Sequence, residues 1–455
     1  MKRAAAAASL VLAVVIVYHN ALAAYFFDDD FQWLVGSWSF RPAQLVAFGS
    51  LSHFYRPVID IYFAVMTPLL GGSPVLFHAA SIALHTANVL VVFALARRLG
   101  GPPSGVPSAS LFGFVTALFF AVQPSDIDAI AWVGALAEAI GALFGCLSLL
   151  WFLRWREEGE SRFRALSVAT FALALLTHES SVVFLPVIVL ADWLLARRVQ
   201  QDPPYPMDSR QGRPGPVGPG RWTPYFALTM VYLAIDLWIN SRNYVVSQGH
   251  YSIGLHIVTN ALDYIDALYV GRRDVLNYAV IVIGVAALLV RGNARVKFAT
   301  CWMLLALAPF LMFTWGNTSR YLYQPAIGFS MLLAEFVMQL DRWLRPAAGG
   351  DPVGSGSSRT HIRTAILTAV VAAITIRFGI FANANVRDFA TRTQVYPDYV
   401  ARFRNIHGDV PNNTVIASDP RLATTLPYQF VNAAVQWEYR DATIQIAPYE
   451  SNGVH

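Results

Sequence analysis

MKRAAAAASLVLAVVIVYHNALAAYFFDDDFQWL, residues 1–34, decides the architecture. Lys2 and Arg3 precede an apolar run from about 5 to 27, and three consecutive carboxylates, Asp28, Asp29 and Asp30, close it. A helix of ~20 apolar residues spans the ~30 Å hydrocarbon core of a bilayer, so the run reads as a first crossing. The basic pair ahead of it places the N-terminus inside. Ala21-Leu22-Ala23 also reads as a signal-peptide cleavage site. On either reading the chain beyond residue 27 is expected outside.

Outward from this segment the pattern repeats. The chain has 455 residues, 56% hydrophobic and only 13% charged, against ~25% in ordinary soluble proteins, which excludes a soluble enzyme or a disordered chain. The expected fold is an all-α polytopic membrane protein with about eleven transmembrane helices. These lie over roughly 5–27, 74–98, 109–122, 129–153, 163–177, 180–196, 223–240, 275–290, 297–314, 321–341 and 362–381. Arginines then sort as the positive-inside rule requires: Arg97, Arg98, Arg154, Arg156, Arg291, Arg295, Arg342 and Arg345 inside, against Arg41, Arg56, Arg242, Arg272, Arg273 and Arg320 outside. Counting 253–271 as a crossing would invert that order, so it reads as an external interfacial or re-entrant helix. The formal charge of +5 is therefore a topology signal and not a nucleic-acid footprint. Residues 1–381 form the transmembrane domain, with a first external loop at 28–73 carrying interfacial helices and a Pro/Gly-rich cytoplasmic loop at 199–221. A Gly/Ser linker follows at 346–360, and 382–455 reads as a small external α/β region. Cys146 and Cys301 both fall in apolar runs, which argues against a disulfide framework or a zinc site.

Ionisable residues cost several kcal/mol at the bilayer centre, so their positions are informative. They gather at the outer helix ends: Asp28–Asp30, then His53, Tyr55, Arg56 and Asp60, then Asp126 and Asp128, His178 and Glu179, and Arg320 with Tyr321 and Tyr323. Glu138 lies further down its helix. Crowded carboxylates raise one another's pKa, which suits a general base, and they can also hold a divalent cation. A solvated acidic helix cap is the plainer alternative. Arg56 and Arg320 offer the forked donors that clamp phosphate, or serve as interfacial anchors. His178-Glu179 could bind substrate or cap the next helix. His78 and His85, on one helix face, suit structural hydrogen bonds better. Gly-rich phosphate loops and a nucleophile elbow are absent.

These rim motifs, in order, resemble the GT-C membrane glycosyltransferases, in particular bacterial relatives of the transmembrane and tetratricopeptide-repeat O-mannosyltransferases. Phe26-Phe27-Asp28-Asp29-Asp30-Phe31-Gln32-Trp33-Leu34 is similar to the first-external-loop signature of that class. Tyr55-Arg56-Pro57, Gly72 to His78, and Leu84-His85 with Asn88 resemble its next stretch. Gln123-Pro124 through Trp132 is similar to a His-Pro-x-His-x-Glu segment. Thr177-His178-Glu179 stands where a Lys-Glu pair is usual, and Ser319-Arg320-Tyr321-Leu322-Tyr323-Gln324-Pro325 resembles a late Glu-Arg-Tyr-Leu-Tyr motif. The similarity spans roughly 18–345. Gln123 and Asp126 replace histidines, and no tetratricopeptide repeats follow.

The resemblance implies an inverting transferase of a sugar, mannose in those relatives, from a polyprenyl-phosphate carrier to an acceptor hydroxyl on the external face. It implies Asp29 as general base, with Asp28 as the alternative. Asp30 and Asp128 would orient the acceptor, Asp126 would bind substrate, and Asp29, Asp30 and Asp128 would hold Mg or Mn if a cation is used. Arg320, Arg56, His178, Glu179 and Tyr321 would bind substrate, the arginines facing the leaving phosphate. No other cofactor is expected. Of the 33 Lys and Arg residues only Lys2 and Lys297 are lysines, a coding bias that suggests a bacterial inner membrane. A transporter or lipid-linked-glycan flippase is the alternative, with Glu138 and Glu335 as its charged residues. A non-catalytic scaffold is a third.

Overall fold

A computed structural model describes residues 3–46, 54–101, 107–201, 219–240, 244–315, 319–345, 356–417 and 419–447. His53, most of the 199–221 loop and most of the 346–360 linker lie outside the described residues. The chain opens with α1 (Arg3–Tyr18) and a 3-10 turn at His19–Ala23, and the first loop follows as α2 (Asp30–Ser37), α3 (Ala43–Val46) and α4 (Pro57–Leu69). Then come α5 (Pro74–Gly100), α6 (Pro107–Ala121), α7 (Ile127–Ala131), α8 (Leu136–Glu158), α9 (Ser161–Leu175), α10 (Phe184–Gln201) and α11 (Thr223–Asn240). After them run α12 (Tyr244–Ser247), α13 (His256–Leu268), α14 (Val275–Arg291), α15 (Ala294–Leu307), α16 (Tyr323–Trp343) and α17 (Gly356–Arg392). The C-terminal region adds α18 (Val395–His407), β1 (Val415–Ile416), α19 (Tyr428–Tyr439) and β2 (Gln445–Ile446). The two strands pair in parallel, Val415 with Gln445 and Ile416 with Ile446.

Local chemistry sets the helix ends. Pro74 starts α5, where its missing N–H costs nothing, and Arg97 and Arg98 sit in the last turn against the negative end of the dipole. Asp274 and Asn293 cap α14 and α15 by accepting from the backbone N–H of Asn277 and of Arg295 and Val296. On α5 the buried positions Phe77, His78, Ser81, His85, Asn88 and Val92 recur at helical spacing and form one inward stripe.

The expected eleven crossings are corrected. Among the described residues four helices are long and apolar enough to cross a membrane: Arg3–Ala23, Pro74–Gly100, Val133–Glu158 and Thr360–His407. A fifth results if Ala109–Ala121 and Pro124–Ala131, which meet at 49°, count as one broken span. The other apolar runs fall short for identifiable reasons. Residues 163–177 yield a helix of 15 residues, about 22 Å long. The 180–196 run begins with a 3-10 turn over Glu179–Val183. The 297–314 run is a 14-residue helix followed by another such turn at Ala308–Phe310. The 321–341 run is long enough but carries Glu335 and Asp341 together with Gln324 and Gln339. The interfacial candidate at 253–271 is α13, whose 13 residues extend about 20 Å.

The arginine-rich helix ends are tied by ion pairs. Asp192 accepts from Arg156 at 2.6 Å, and Glu335 holds Arg295 at 3.1 Å and Arg342 at 2.6 Å. Asp341 binds Arg345 at 2.6 Å and Arg363 at 2.8 Å. Two apolar cores organise the rest. One lies among the long helices and joins α1, α5, α6, α8, α15 and α16. The second joins the first loop (Phe26, Phe31, Trp33, Phe63) to the C-terminal region (Tyr396, Phe403, Trp437). The acidic triplet lies where these two cores meet.

Candidate active site

The chain leaves the His19–Ala23 turn extended at Ala24 and reverses at Asp28, whose φ of +46° is left-handed. Aspartate is among the few residues with a side chain that visit this region routinely. Asp29 then caps α2, its carbonyl accepting from Trp33 N–H at 3.1 Å, and Asp30 opens the first turn. Carboxylates at a helix N-terminus are favoured by the macrodipole, so three acids here suit the local structure.

The three side chains have different fates. Asp30 is fully buried and its oxygens are taken by backbone donors, Phe27 N–H at 2.8 Å and Gly134 N–H. Asp28 Oδ1 accepts from the Tyr396 hydroxyl at 2.5 Å. Asp29 is half-buried, and its Oδ1 is sealed from solvent without a hydrogen-bond partner among the described residues. Gly134 makes this approach feasible, because a Cβ there would stand only 3.0 Å from Asp29 Cγ. Burial pushes the Asp29 carboxyl above the ordinary carboxylate range, Arg320 and Arg56 pull it back, and the Asp28 charge adds to the rise. Burial raises Asp30 well above that range, with the Asp29 charge adding to it. Burial also raises Asp28, against the Tyr396 hydrogen bond and Arg320.

Arg320 sits in the 3-10 turn Ser319–Leu322 that leads into α16. Its guanidinium lies over the Trp132 ring at 4.9 Å and over Tyr321 at 5.1 Å, and donates to the Tyr321 hydroxyl at 3.3 Å. Among the described residues no carboxylate forms an ion pair with it. Burial opposes its charge, but Tyr321, Asp29 and Glu138 hold its pKa above the ordinary value. The turn itself is tied to α7 by Asp128 N–H, which donates to Ser319 Oγ at 3.3 Å.

Arg56 is committed elsewhere. Its Nε and terminal nitrogen grip Glu179 as a fork, at 3.0 and 2.6 Å. Burial works against the Glu179 charge, but Arg56 and His178 overcome it and lower the carboxyl to about 2. His178 Nδ1 accepts from Ser180 N–H at 3.2 Å, which leaves the proton on Nε2, 3.4 Å from Glu138 Oε1. Burial and the positive charge of Arg56 lower its pKa to about 3, so the imidazole is neutral. Ser180 Oγ donates to Glu138 Oε2 at 3.2 Å, and Gln324 Nε2 donates to Ser180 Oγ at 3.0 Å. One network thus links α4, α8, the His178–Val183 turn and α16.

The rim expected from sequence therefore divides. Asp28, Asp29, Asp30 and Arg320 share one electrostatic centre, with Arg56, His178, Glu179 and Glu138 as a connected network beside it. Asp126 stands apart. It is fully buried, and its Oδ1 accepts from Ser125 Oγ at 3.4 Å. Asp128 is half-buried on α7. Among the described residues no three His, Cys, Asp or Glu side chains are grouped to hold a metal ion. Asp30, with both oxygens on backbone N–H groups, is a poor member of the Asp29–Asp30–Asp128 ligand set. Sequence reading did not single out Tyr396, Ser180 or Gly134, each of which joins the site from a distant segment. Only Gln324 lay within a quoted motif.

No family model matches the chain. In sequence it is similar to protein O-mannosyl-transferase TMTC1 of Mus musculus, 32% identical over 111 residues, which is 24% of this chain and 11% of that protein. It is also similar to protein O-mannosyl-transferase TMTC4 of Homo sapiens, 32% identical over 158 residues, 31% of this chain and 21% of that one. The chain thus matches only about a tenth to a fifth of the length of these relatives. In structure it is similar to ArnT from Cupriavidus metallidurans in the apo state, with TM-score 0.54, 13% identity, and coverage of 96% of this chain and 84% of that chain. The same enzyme bound to undecaprenyl phosphate gives TM-score 0.52 at 12% identity, covering 97% and 85%. The Archaeoglobus fulgidus oligosaccharyltransferase tethered with an acceptor peptide gives 0.52 at 13% identity, covering 98% of this chain and 64% of that chain. The resemblance drawn from the motifs is borne out: the chain shares its fold with ArnT and the archaeal oligosaccharyltransferase, and part of it is similar in sequence to the O-mannosyl-transferases.

Proposed function

We propose that this GT-C-fold chain is a membrane glycosyltransferase that takes a sugar from a polyprenyl-phosphate donor. The observation that carries the reading is the pairing of Asp29, sealed on one oxygen and otherwise accessible, with Arg320, a guanidinium held by aromatic faces without a carboxylate partner. A base and an uncommitted cation in one place are what transfer from a lipid phosphate requires. The similarity to ArnT bound to undecaprenyl phosphate and to the O-mannosyl-transferases supports the donor class, with mannose as the first sugar to try.

In this reading Asp29 takes the proton of an acceptor hydroxyl as that oxygen attacks the anomeric carbon. The new C–O bond forms on one face while the bond to the phosphate oxygen breaks on the other, so the anomeric configuration inverts. The departing electron pair stays on the polyprenyl phosphate, whose developing charge faces Arg320. Stabilisation of such charge by fixed donors is commonly the largest catalytic contribution. A raised pKa suits Asp29 as base, because a carboxyl nearer working pH is the better proton acceptor. Asp28 is the lesser candidate, since one oxygen already serves Tyr396. Arg56 acts at one remove, its charge matched by Glu179, and the neutral His178 brings none. Asp128 and Tyr321 line the approach of substrate. The site is assigned to the external, periplasmic face of a bacterial inner membrane, with the N-terminus cytoplasmic because Lys2 and Arg3 precede the first crossing.

The transporter alternative loses ground because its charged residues have static partners: Glu138 in the Ser180–Gln324 network and Glu335 between Arg295 and Arg342. The deciding experiment incubates purified protein with a panel of radiolabelled polyprenyl-phosphate sugars. Donor consumption that Asp29→Asn abolishes is the expected result. A folded protein inert toward every donor would overturn the reading.

A further inference from the structure

The C-terminal region is fastened to the acidic loop at three successive points. Gln394 Nε2 donates to Ala23 O at 3.2 Å, Tyr25 N–H donates to Thr393 Oγ1 at 2.9 Å, and the Tyr396 hydroxyl donates to Asp28 Oδ1 at 2.5 Å. The Tyr396 ring is buried between Phe27, edge-on at 5.8 Å, and Phe31, tilted at 5.0 Å. On the other side Trp437 of α19 stacks on Trp38 at 5.4 Å and meets Phe26 edge-on at 6.1 Å. What sequence presents as an external tail is packed into the wall of the site.

The consequence turns on Asp28. Its left-handed φ is sterically unfavourable for an L-residue with a side chain, and Asp29 is back at φ −70° and ψ −7° one residue later. The direction in which Asp29 points is therefore set by the turn at Asp28. Among the described residues the Tyr396 hydroxyl is the hydrogen-bond donor on the Asp28 carboxylate. We propose that Tyr396 is a positioning residue of the catalytic centre, its hydroxyl locking the Asp28 turn so that Asp29 meets the reacting atoms. The proposal rests on the transferase reading above. Tyr396 touches neither donor nor acceptor and acts only through Asp28.

Tyr396→Phe keeps the ring and its packing and removes one hydroxyl. In the full-length purified protein it lowers kcat for the active polyprenyl-phosphate sugar about 10- to 100-fold, as misplacement of a reacting group does, with KM within about twofold. Hydrogen–deuterium exchange, which needs no substrate, rises in peptides covering 23–31 and stays unchanged in α5 and α8. Unchanged kcat in Tyr396→Phe, with an active wild type, overturns this inference alone. So does a rise in exchange throughout the helices, since the tyrosine would then hold the fold and not the turn. A wild type inert toward every donor overturns the transferase reading itself, a different result from either.

Discussion

Replacing Asp29 and replacing its neighbour Asp30 are expected to move stability in opposite directions. Both have pKa values raised by burial, so the folded state binds protons that the unfolded state has released. Their contribution is therefore favourable in acid and declines as pH climbs from the unfolded value of about 3.8 through the higher folded values. At neutral pH an ionised Asp29, one oxygen unpartnered, is a cost to the fold. Asp29→Asn is expected to abolish transfer, by about 10²-fold or more, while stabilising the protein by about 1 kcal/mol. Thermal unfolding of the two proteins in the same detergent checks this, and a mutant that melts lower refutes the sign. Asp30 differs because its carboxylate accepts from two buried N–H groups, Phe27 and Gly134. Asp30→Ala leaves both unsatisfied and should cost about 1–3 kcal/mol for each, enough to lower the melting temperature clearly. Sequence shows three equivalent acids in a row; the separation of a reactive one from a structural one depends on Gly134, more than a hundred residues away.

Among the elements, the turn from His178 to Val183 holds two adjacent groups whose pKa values fall on folding. Glu179 falls to about 2 in the folded state, so its contribution is complete above 4.5 and is lost as pH falls toward 2. His178 falls to about 3 against an ordinary 6.5, so the unfolded chain takes up that proton first and stability drops as pH descends from 6.5. As pH falls from 7 to 4 His178 therefore lowers the melting temperature while Asp29 and Asp30 raise it, and His178→Gln should shift the profile in favour of acid. An unaltered profile in the mutant would show that the imidazole does not titrate as described. His178-Glu179 and Arg320-Tyr321 were legible because each pair is contiguous and stands at a helix boundary. Arg56 was legible as a rim residue but not as the partner of Glu179, since no local spacing relates residues on α4 and the later turn. Asp126 and Asp128 share a segment, yet the first is fully buried and the second half-buried, a difference that two-residue spacing does not show. Helix breaks were equally hidden, because a 3-10 turn such as Ala308–Phe310 is as apolar as the helix it ends.

Across the whole molecule, hydrophobicity revealed the class and overstated the number of crossings. An apolar run reports burial in protein as readily as exposure to lipid, and Phe298, Ala299, Trp302 and Met303 of α15 are buried against neighbouring helices. Glu335, without an evident partner in sequence, is held by Arg342 two turns along α16 and gains Arg295 only when α15 and α16 pack. The longest helix has the widest effect. α17 runs unbroken for 37 residues, about 55 Å; its buried residues run from Phe378 to Ala390, and Leu367, Val370, Val371 and Ile374 before them pack partly buried against the same core. The bilayer core accounts for ~30 Å of that length, and the remainder carries Thr393 and Tyr396 directly onto the acidic loop. Such a helix couples the bilayer to the acidic loop as one continuous rod. Hydrophobic mismatch is relieved mainly by tilt, so a change of acyl-chain length should be felt at Asp28 as a displacement of its hydroxyl partner. Turnover measured in nanodiscs of graded thickness should pass through an optimum, and Tyr396→Phe should be much less sensitive to thickness. The membrane would then be a mechanical setting of the site as well as its solvent.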